Sequence, residues 1–193
     1  MSFKRRVVAT TVASLALTAC GVVPATDLVP LSIGGDIELT QAGGRVFRLS
    51  EHAAEVKLLF FGYASCPDVC PRALARVSQV EKLLGPLAEQ LLAVFVSVDP
   101  ERDTPDHLAE WLGFFGVRGV GITGSADRVA SVAAAYGAFY EKKPSGSALG
   151  YLIDHSTYLY LLDRAGRVRR LVRSEDSPEA IAGWVSALLA EPR

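Results

Sequence analysis

The sequence predicts an α/β domain in which a central mixed sheet is flanked by helices and carries a β-hairpin at its N-terminal side. Three observations lead there. Residues 56–63 and 91–98 are apolar runs of strand length, as expected of central strands buried on both faces. Between and after them, apolar residues recur at helical spacing behind recognisable N-caps. The last third holds two runs rich in β-branched, aromatic and aliphatic residues, 157–162 and 168–173, joined by Asp163-Arg164-Ala165-Gly166, which reads as an antiparallel hairpin.

In chain order, residues 36–39 and 45–49 flank Gln41-Ala42-Gly43-Gly44 and form the N-terminal hairpin. After the first buried strand, residues 72–84 place Ala73, Val77, Val80 and Leu84 on one helical stripe. After the second, Thr104 is an N-cap with Pro105 at the first helical position, and Leu108, Trp111, Leu112 and Phe115 follow at i, i+3, i+4 and i+7. Val129, Val132, Ala133 and Tyr136 repeat that spacing. Residues 142–150 are polar and rich in Gly, Ser and Pro, as in a flexible loop. Ser177-Pro178 opens a last helix with Ile181, Trp184, Val185, Leu188 and Leu189 on its inner face. The order strand, helix, strand, helix, helix, hairpin, helix implies parallel crossovers first and antiparallel pairing later. It is similar to the thioredoxin plan. In such open sheets ligand sites gather at the carboxyl ends of strands, where the loops after Tyr63 and Val98 lie.

The 193 residues are half hydrophobic, and 20 basic side chains nearly balance 21 acidic ones. That suits one globular domain with a short extension and offers no broad electrostatic reason to bind nucleic acid. The extension reads as an export leader: Lys4, Arg5 and Arg6 precede the apolar stretch 7–17. Leu17-Thr18-Ala19-Cys20 resembles the lipobox of bacterial lipoproteins, whose cysteine is lipidated and becomes the first residue of the mature chain. An uncleaved anchor over 7–25 is the alternative, but Pro24 and the threonines make a poor span. Either way the domain stands outside the cytoplasm, on the periplasmic side. The expected organisation is a signal peptide over 1–19, a lipid-anchored tether over 20–33 and a folded domain over 34–193. Stretched out, residues 21–33 would reach up to about 45 Å.

Lipidation of Cys20 leaves a single thiol pair, Cys66 and Cys70, in a compartment where disulfides form and persist. Both precede a proline in Cys66-Pro67-Asp68-Val69-Cys70-Pro71, which disfavours helical geometry and predicts a loop. Pro71 fits the first helical position, leaving Cys70 near the N-cap, where the helix dipole favours a thiolate. Both sulfurs are therefore expected to ionise easily. A structural disulfide across so short a loop would restrain little chain entropy, so a functional pair is favoured.

Phe61-Gly62-Tyr63-Ala64-Ser65-Cys66-Pro67-Asp68-Val69-Cys70-Pro71 resembles the signature of the Sco/SenC family, copper chaperones for the binuclear copper site of cytochrome c oxidase. Two further blocks agree: Val96-Ser97-Val98-Asp99-Pro100-Glu101-Arg102-Asp103-Thr104-Pro105 and Asp154-His155-Ser156-Thr157. The similarity runs over about residues 34–190. Ala64-Ser65 departs from the Thr-His that the family often places before the first cysteine. The resemblance implies a thioredoxin-like fold and copper ligation by Cys66, Cys70 and His155, with a copper-bearing oxidase subunit as partner and other copper chaperones or thioredoxin-like reductants as further ones. Two soft thiolates and one imidazole suit Cu(I) and also hold Cu(II), whereas structural zinc normally takes four ligands. His155 precedes a core strand where thioredoxins place a cis-proline against the dithiol, and this chain has no proline there. His52 and His107 read as ordinary surface or satisfied residues. Asp99 and Asp103 either orient the ligands or shape the turn at Pro100, and Tyr63 is expected to pack near the site. Arg164, Arg167, Arg169, Arg170 and Arg173 read as a solvated hairpin that discourages edge pairing rather than a docking patch.

A delivery protein needs no turnover of a small substrate. A thiol-disulfide oxidoreductase, reducing the copper-ligand cysteines of the oxidase subunit, is the alternative. The three-residue spacing between the cysteines and the histidine in place of a cis-proline weigh against it. A peroxiredoxin-like peroxidase is weaker still, because Tyr63 stands three residues before Cys66 where that site has threonine or serine. Cys20→Ser is expected to move the protein from membranes into the soluble extracytoplasmic fraction; an unchanged membrane fraction would indicate a spanning anchor instead.

Overall fold

The structure is a computed structural model in which residues 28–146 and 150–192 are described. The expected leader and Cys20 lie outside the described residues, among which no helix is long and apolar enough to cross a membrane. The elements in order are β1 (Glu38–Gln41), β2 (Val46–Arg48), β3 (Val56–Gly62), α1 (Val69–Leu84), β4 (Leu91–Ser97), α2 (Pro105–Gly113), β5 (Gly119–Thr123), α3 (Ala126–Ala135), β6 (Tyr140–Pro144), β7 (Tyr151–His155), β8 (Leu159–Leu162), β9 (Val168–Val172) and α4 (Pro178–Ala190).

Seven strands form one sheet in the order β2-β1-β5-β4-β3-β8-β9. β3 and β4 lie at its middle with every residue buried, as their apolar runs require. The α1 and α2 crossovers make β3–β4 and β4–β5 parallel. β8 returns antiparallel to β3, and β9 antiparallel to β8. This is the mixed, helix-flanked α/β sheet of the thioredoxin plan. Three helices start behind side chains that accept an otherwise unpaired backbone N–H: Thr104 from His107 at 3.2 Å, Ser125 from Arg128 at 3.4 Å and Ser177 from Ala180 at 3.2 Å.

The structure corrects the sequence reading in four places. β5 is an additional strand. Its glycines lower its strand signal, but a Cβ on Gly121 would lie 2.5 Å from Leu108 Cβ, so glycine is what lets α2 rest on the sheet there. The expected loop over 142–150 begins as β6, which pairs with β7 in a separate two-stranded sheet. The exposed charges of Glu141, Lys142 and Lys143 hid that strand. Part of the expected tether is folded: Leu28 is 2% exposed, its carbonyl accepts from Arg169, and the Leu31 N–H donates to the Val168 carbonyl at 2.8 Å.

Three arginines of the last hairpin, Arg164, Arg169 and Arg170, are the fourth correction, because they hold the fold, whereas Arg167 and Arg173 stay exposed as expected. Arg164 reaches the Leu189 carbonyl at 2.9 Å at the end of α4, where a cation meets the negative pole of the helix. Arg169 is buried and bridges Asp163 and Glu191 at 3.1 and 2.7 Å. Arg170 stacks 3.8 Å from the centre of the Trp184 ring. Arg167 pairs with Asp163 at 2.8 Å and Arg173 with Glu175 at 3.8 Å.

One side chain breaks the apolar pattern of β3. Lys57 is fully buried, its ammonium donating to the Arg164 carbonyl at 3.1 Å. Burial pulls its pKa down to about 8, against the attraction of Glu55 and Asp163. The unfolded chain keeps this proton up to about pH 10.5 while the native protein gives it up near 8, so between those values the unfolded state binds more protons and stability rises with pH. Urea titrations across that window are expected to show this rise in the wild type and a flatter profile in Lys57→Met; identical slopes would contradict it.

Candidate functional site

The three residues singled out by the sequence converge at the carboxyl end of β3. Cys66 lies in the loop after this strand, its N–H donating to the Tyr63 carbonyl at 3.2 Å. Helix α1 then begins at Val69, two residues earlier than Pro71, with Asp68 at the N-cap, so Cys70 lies near the N-cap as expected but already inside the first turn. Proline costs little at the third helical position, because the first four N–H groups of a helix have no intrahelical partner to lose. A Cβ on Gly62 would lie 2.5 Å from Cys70 Sγ, so glycine at this point of β3 allows the sulfur to rest against the strand backbone.

His155 arrives from the other side as the last residue of β7, paired across the hairpin with Tyr140. Its Nδ1 lies 2.9 Å from the Ser156 carbonyl, an acceptor, which assigns the ring proton to Nδ1 and leaves the Nε2 lone pair free. Nε2 lies 3.5 Å from Cys70 Sγ and 3.9 Å from Cys66 Sγ, and the three ligand atoms fall within 4.8 Å of one another. Phe60 and Tyr63 wall the imidazole edge-on, with ring centres 5.7 and 5.8 Å away. No cis peptide bond occurs among the described residues.

The two cysteines are not equivalent, contrary to the expectation that both ionise easily. Both are free thiols in this structure, with no bond joining them. The hydrogen bond from the Cys70 thiol holds the Cys66 pKa far below that of an ordinary thiol. Burial opposes this, while the backbone N–H groups of Asp68 and Cys70 reinforce it. Cys70 moves the other way, raised first by burial and then by its bond to Cys66 and that residue's charge. Of the two, Cys66 is the thiol that ionises first, with Cys70 as its hydrogen-bond donor.

Asp99 and Asp103 are buried just behind this group. Asp103 accepts from the Ala64 N–H at 2.9 Å, in the loop that carries Cys66, and from the Ser97 hydroxyl at 2.6 Å. Asp99 is paired with Arg102 and accepts from the Tyr151 hydroxyl at 2.7 Å. His52 stacks on Phe47 with ring centres 4.9 Å apart and lies 2.8 Å from Glu55, while His107 lies 3.7 Å from Asp103. Neither is brought to the dithiol. Phe60 and Tyr151 were not foreseen. Phe60 carries no mark within an apolar run, and the role of Tyr151 depends on a hairpin whose second strand the sequence reading did not assign. Cavities of about 500 and 410 Å³ lie around the β8–β9 turn, lined among others by Arg164 and Arg167, and neither is lined by Cys66, Cys70 or His155.

The donor set can be tested against a metal ion. Bonds of about 2.3 Å to sulfur and 2.0 Å to nitrogen, at trigonal angles, would space the two kinds of donor by about 3.7 Å. The observed separations of 3.5 and 3.9 Å bracket that value. One thiolate is already favoured, and a bound cation would draw off the second proton.

Known proteins carry the same architecture. This chain is 33% identical over 152 residues to the SCO2-like protein of Rickettsia felis, covering 78% of this chain and 74% of that one. It is similar to the structure of Bradyrhizobium japonicum ScoI with copper bound, with a TM-score of 0.74 and 35% identity over 81% of this chain and 99% of the other. The solution structure of apo Sco1 from Thermus thermophilus matches with a TM-score of 0.69 and 35% identity, over 84% and 92% of the two chains. The family model described as SCO1/SenC matches residues 26–190, nearly the whole folded domain, and the chain belongs to that family.

Proposed function

We propose that this protein binds one copper ion through Cys66, Cys70 and His155 on the extracytoplasmic face of a membrane and delivers it to the binuclear copper site of cytochrome c oxidase during assembly. The observation that carries this reading is the convergence of two sulfurs and an oriented imidazole nitrogen within 4.8 Å. Two soft donors suit Cu(I), and the imidazole extends the set to Cu(II). The copper-bound ScoI of Bradyrhizobium japonicum, at 35% identity, supports the same ion here. The oxidase is the destination that the family resemblance implies. A site of three ligands, with Cys66 8% exposed and His155 half-buried, leaves an approach for an acceptor's own thiolates and imidazoles, so the ion can pass by ligand exchange without free release.

One observation favours a second reading. A reactive thiolate at Cys66 with Cys70 beside it is the arrangement that attacks a partner's disulfide and then resolves the mixed disulfide, closing a Cys66–Cys70 bond as the partner receives two electrons. The two readings share the thiols and differ in their need for His155.

The purified domain is expected to bind about one copper per chain and to develop sulfur-to-copper charge-transfer absorption with Cu(II). Cys66→Ser or Cys70→Ser abolishes both, and full stoichiometry in either variant would overturn the ligand assignment. His155→Ala separates the readings. If delivery is the function, it weakens copper binding at least tenfold and fails to restore oxidase activity to a strain lacking the gene at limiting copper. Full rescue by His155→Ala alongside failure of Cys66→Ser would assign the function to thiol exchange.

A further inference from the structure

The β6–β7 hairpin stands apart from the seven-stranded sheet, and two strands alone have little independent stability in water. Because His155 is its last residue, the imidazole is placed only as firmly as the hairpin is held. In β7 alternate residues share a face, so Tyr151, Ile153 and His155 point the same way. Each finds the body of the domain. Ile153 is 3% exposed and its N–H donates to the Tyr63 hydroxyl at 3.2 Å. His155 meets the dithiol, and Tyr151 meets the loop that follows β4.

That last contact is dense and directional. The Tyr151 hydroxyl donates to Asp99 Oδ1 at 2.7 Å, and Asp99 is fully buried. Arg102 is paired with the same carboxylate, donates from Nη1 to the Tyr151 carbonyl at 3.1 Å, and lies 3.8 Å from the centre of the Tyr151 ring. From β6, Lys142 lies 4.7 Å from that ring centre and pairs with Glu101 at 2.6 Å. One tyrosine thus gathers a charge-assisted hydrogen bond and two cation–π contacts on its side chain and a further bond on its backbone carbonyl. Tyr151 lies about 13 Å along the strand from His155, far enough that a small tilt at the clasp carries the imbalance to the imidazole.

We propose that Tyr151, with Asp99 and Arg102, is a set of positioning residues that fixes the approach of His155 to Cys66 and Cys70 without touching the ion. This rests on the copper-site reading above. It gives Asp99 a task on the histidine side, while Asp103 holds the Cys66 loop through Ala64.

Tyr151→Phe tests it, since it keeps the ring on Arg102 and removes only the hydroxyl; Tyr151→Leu removes both. Groups that orient a metal ligand from outside typically alter affinity by about 10–100-fold. Tyr151→Phe is expected to weaken Cu(II) binding about tenfold and Tyr151→Leu further, with a weakened imidazole-nitrogen signature in the electron paramagnetic resonance spectrum. In the metal-free, reduced protein, NMR contacts between the His155 ring and the Phe60 and Tyr63 rings should weaken in the same order, while the unfolding midpoint of Tyr151→Phe stays close to that of the wild type. Copper affinity within twofold of wild type together with intact ring contacts in both variants would overturn the clasp. If the wild type binds no copper, the copper-site reading fails by itself, and the metal-free ring contacts then decide the clasp: weakened contacts uphold it and intact ones refute it.

Discussion

Two buried carboxylates behind the thiols are the constraint on which the site depends. Asp99 and Asp103 belong to one short loop after β4, where an amide and a hydroxyl donate to Asp103 Oδ2 and a guanidinium and a phenol hold Asp99, offsetting the cost of burial. Those donors come from both halves of the site. Ala64 belongs to the loop of Cys66, and Tyr151 to the hairpin of His155. Satisfying the carboxylates therefore brings the halves into register, and the sheet beneath supplies a rigid floor through the fully buried β3 and β4.

Much of this was legible in the sequence. The dithiol stood out by its spacing and its prolines, His155 was implied by the family resemblance, and capping side chains such as Thr104 and Ser177 marked helix starts by a local rule. What escaped detection depended on contacts distant in the chain. The β5 strand is carried by glycines whose purpose shows only when α2 lies on Gly121. The charged β6 reads as a loop until it pairs with β7 and Lys142 finds Glu101. Leu28 and three arginines of the last hairpin looked like exposed chain and exposed charge, and their partners lie up to 141 residues away. The early start of α1 shows a local rule overridden: the restriction placed on Cys70 by Pro71 yields where the sulfur can settle against Gly62.

The inequality of the two cysteines also links the competing readings. A buried, protonated Cys70 beside an ionised Cys66 is the resting state expected of a reduced dithiol awaiting either a cation or a disulfide. Both draw on the same proton. A cation expels it, and a mixed disulfide at Cys66 leaves Cys70 to lose it on resolution. Copper loading and thiol exchange would therefore exclude each other at any moment, and both would require the reduced pair.

The docking of the first described residues has a consequence for where the site can go. Leu31 joins the sheet at Val168, which in register with Leu162 and Lys57 marks the amino end of β3, whereas the thiols follow its carboxyl end. If lipid is attached at Cys20, only the eight steps to Leu28 remain as slack, about 27 Å fully stretched, in place of the 45 Å that a tether running to residue 33 would allow. The sheet adds its own length of about 20 Å between leash and thiols. A domain held this way would turn its thiols away from the bilayer, and if it delivers copper as proposed, an acceptor anchored in the same membrane would have to raise its own copper site off the surface to meet them.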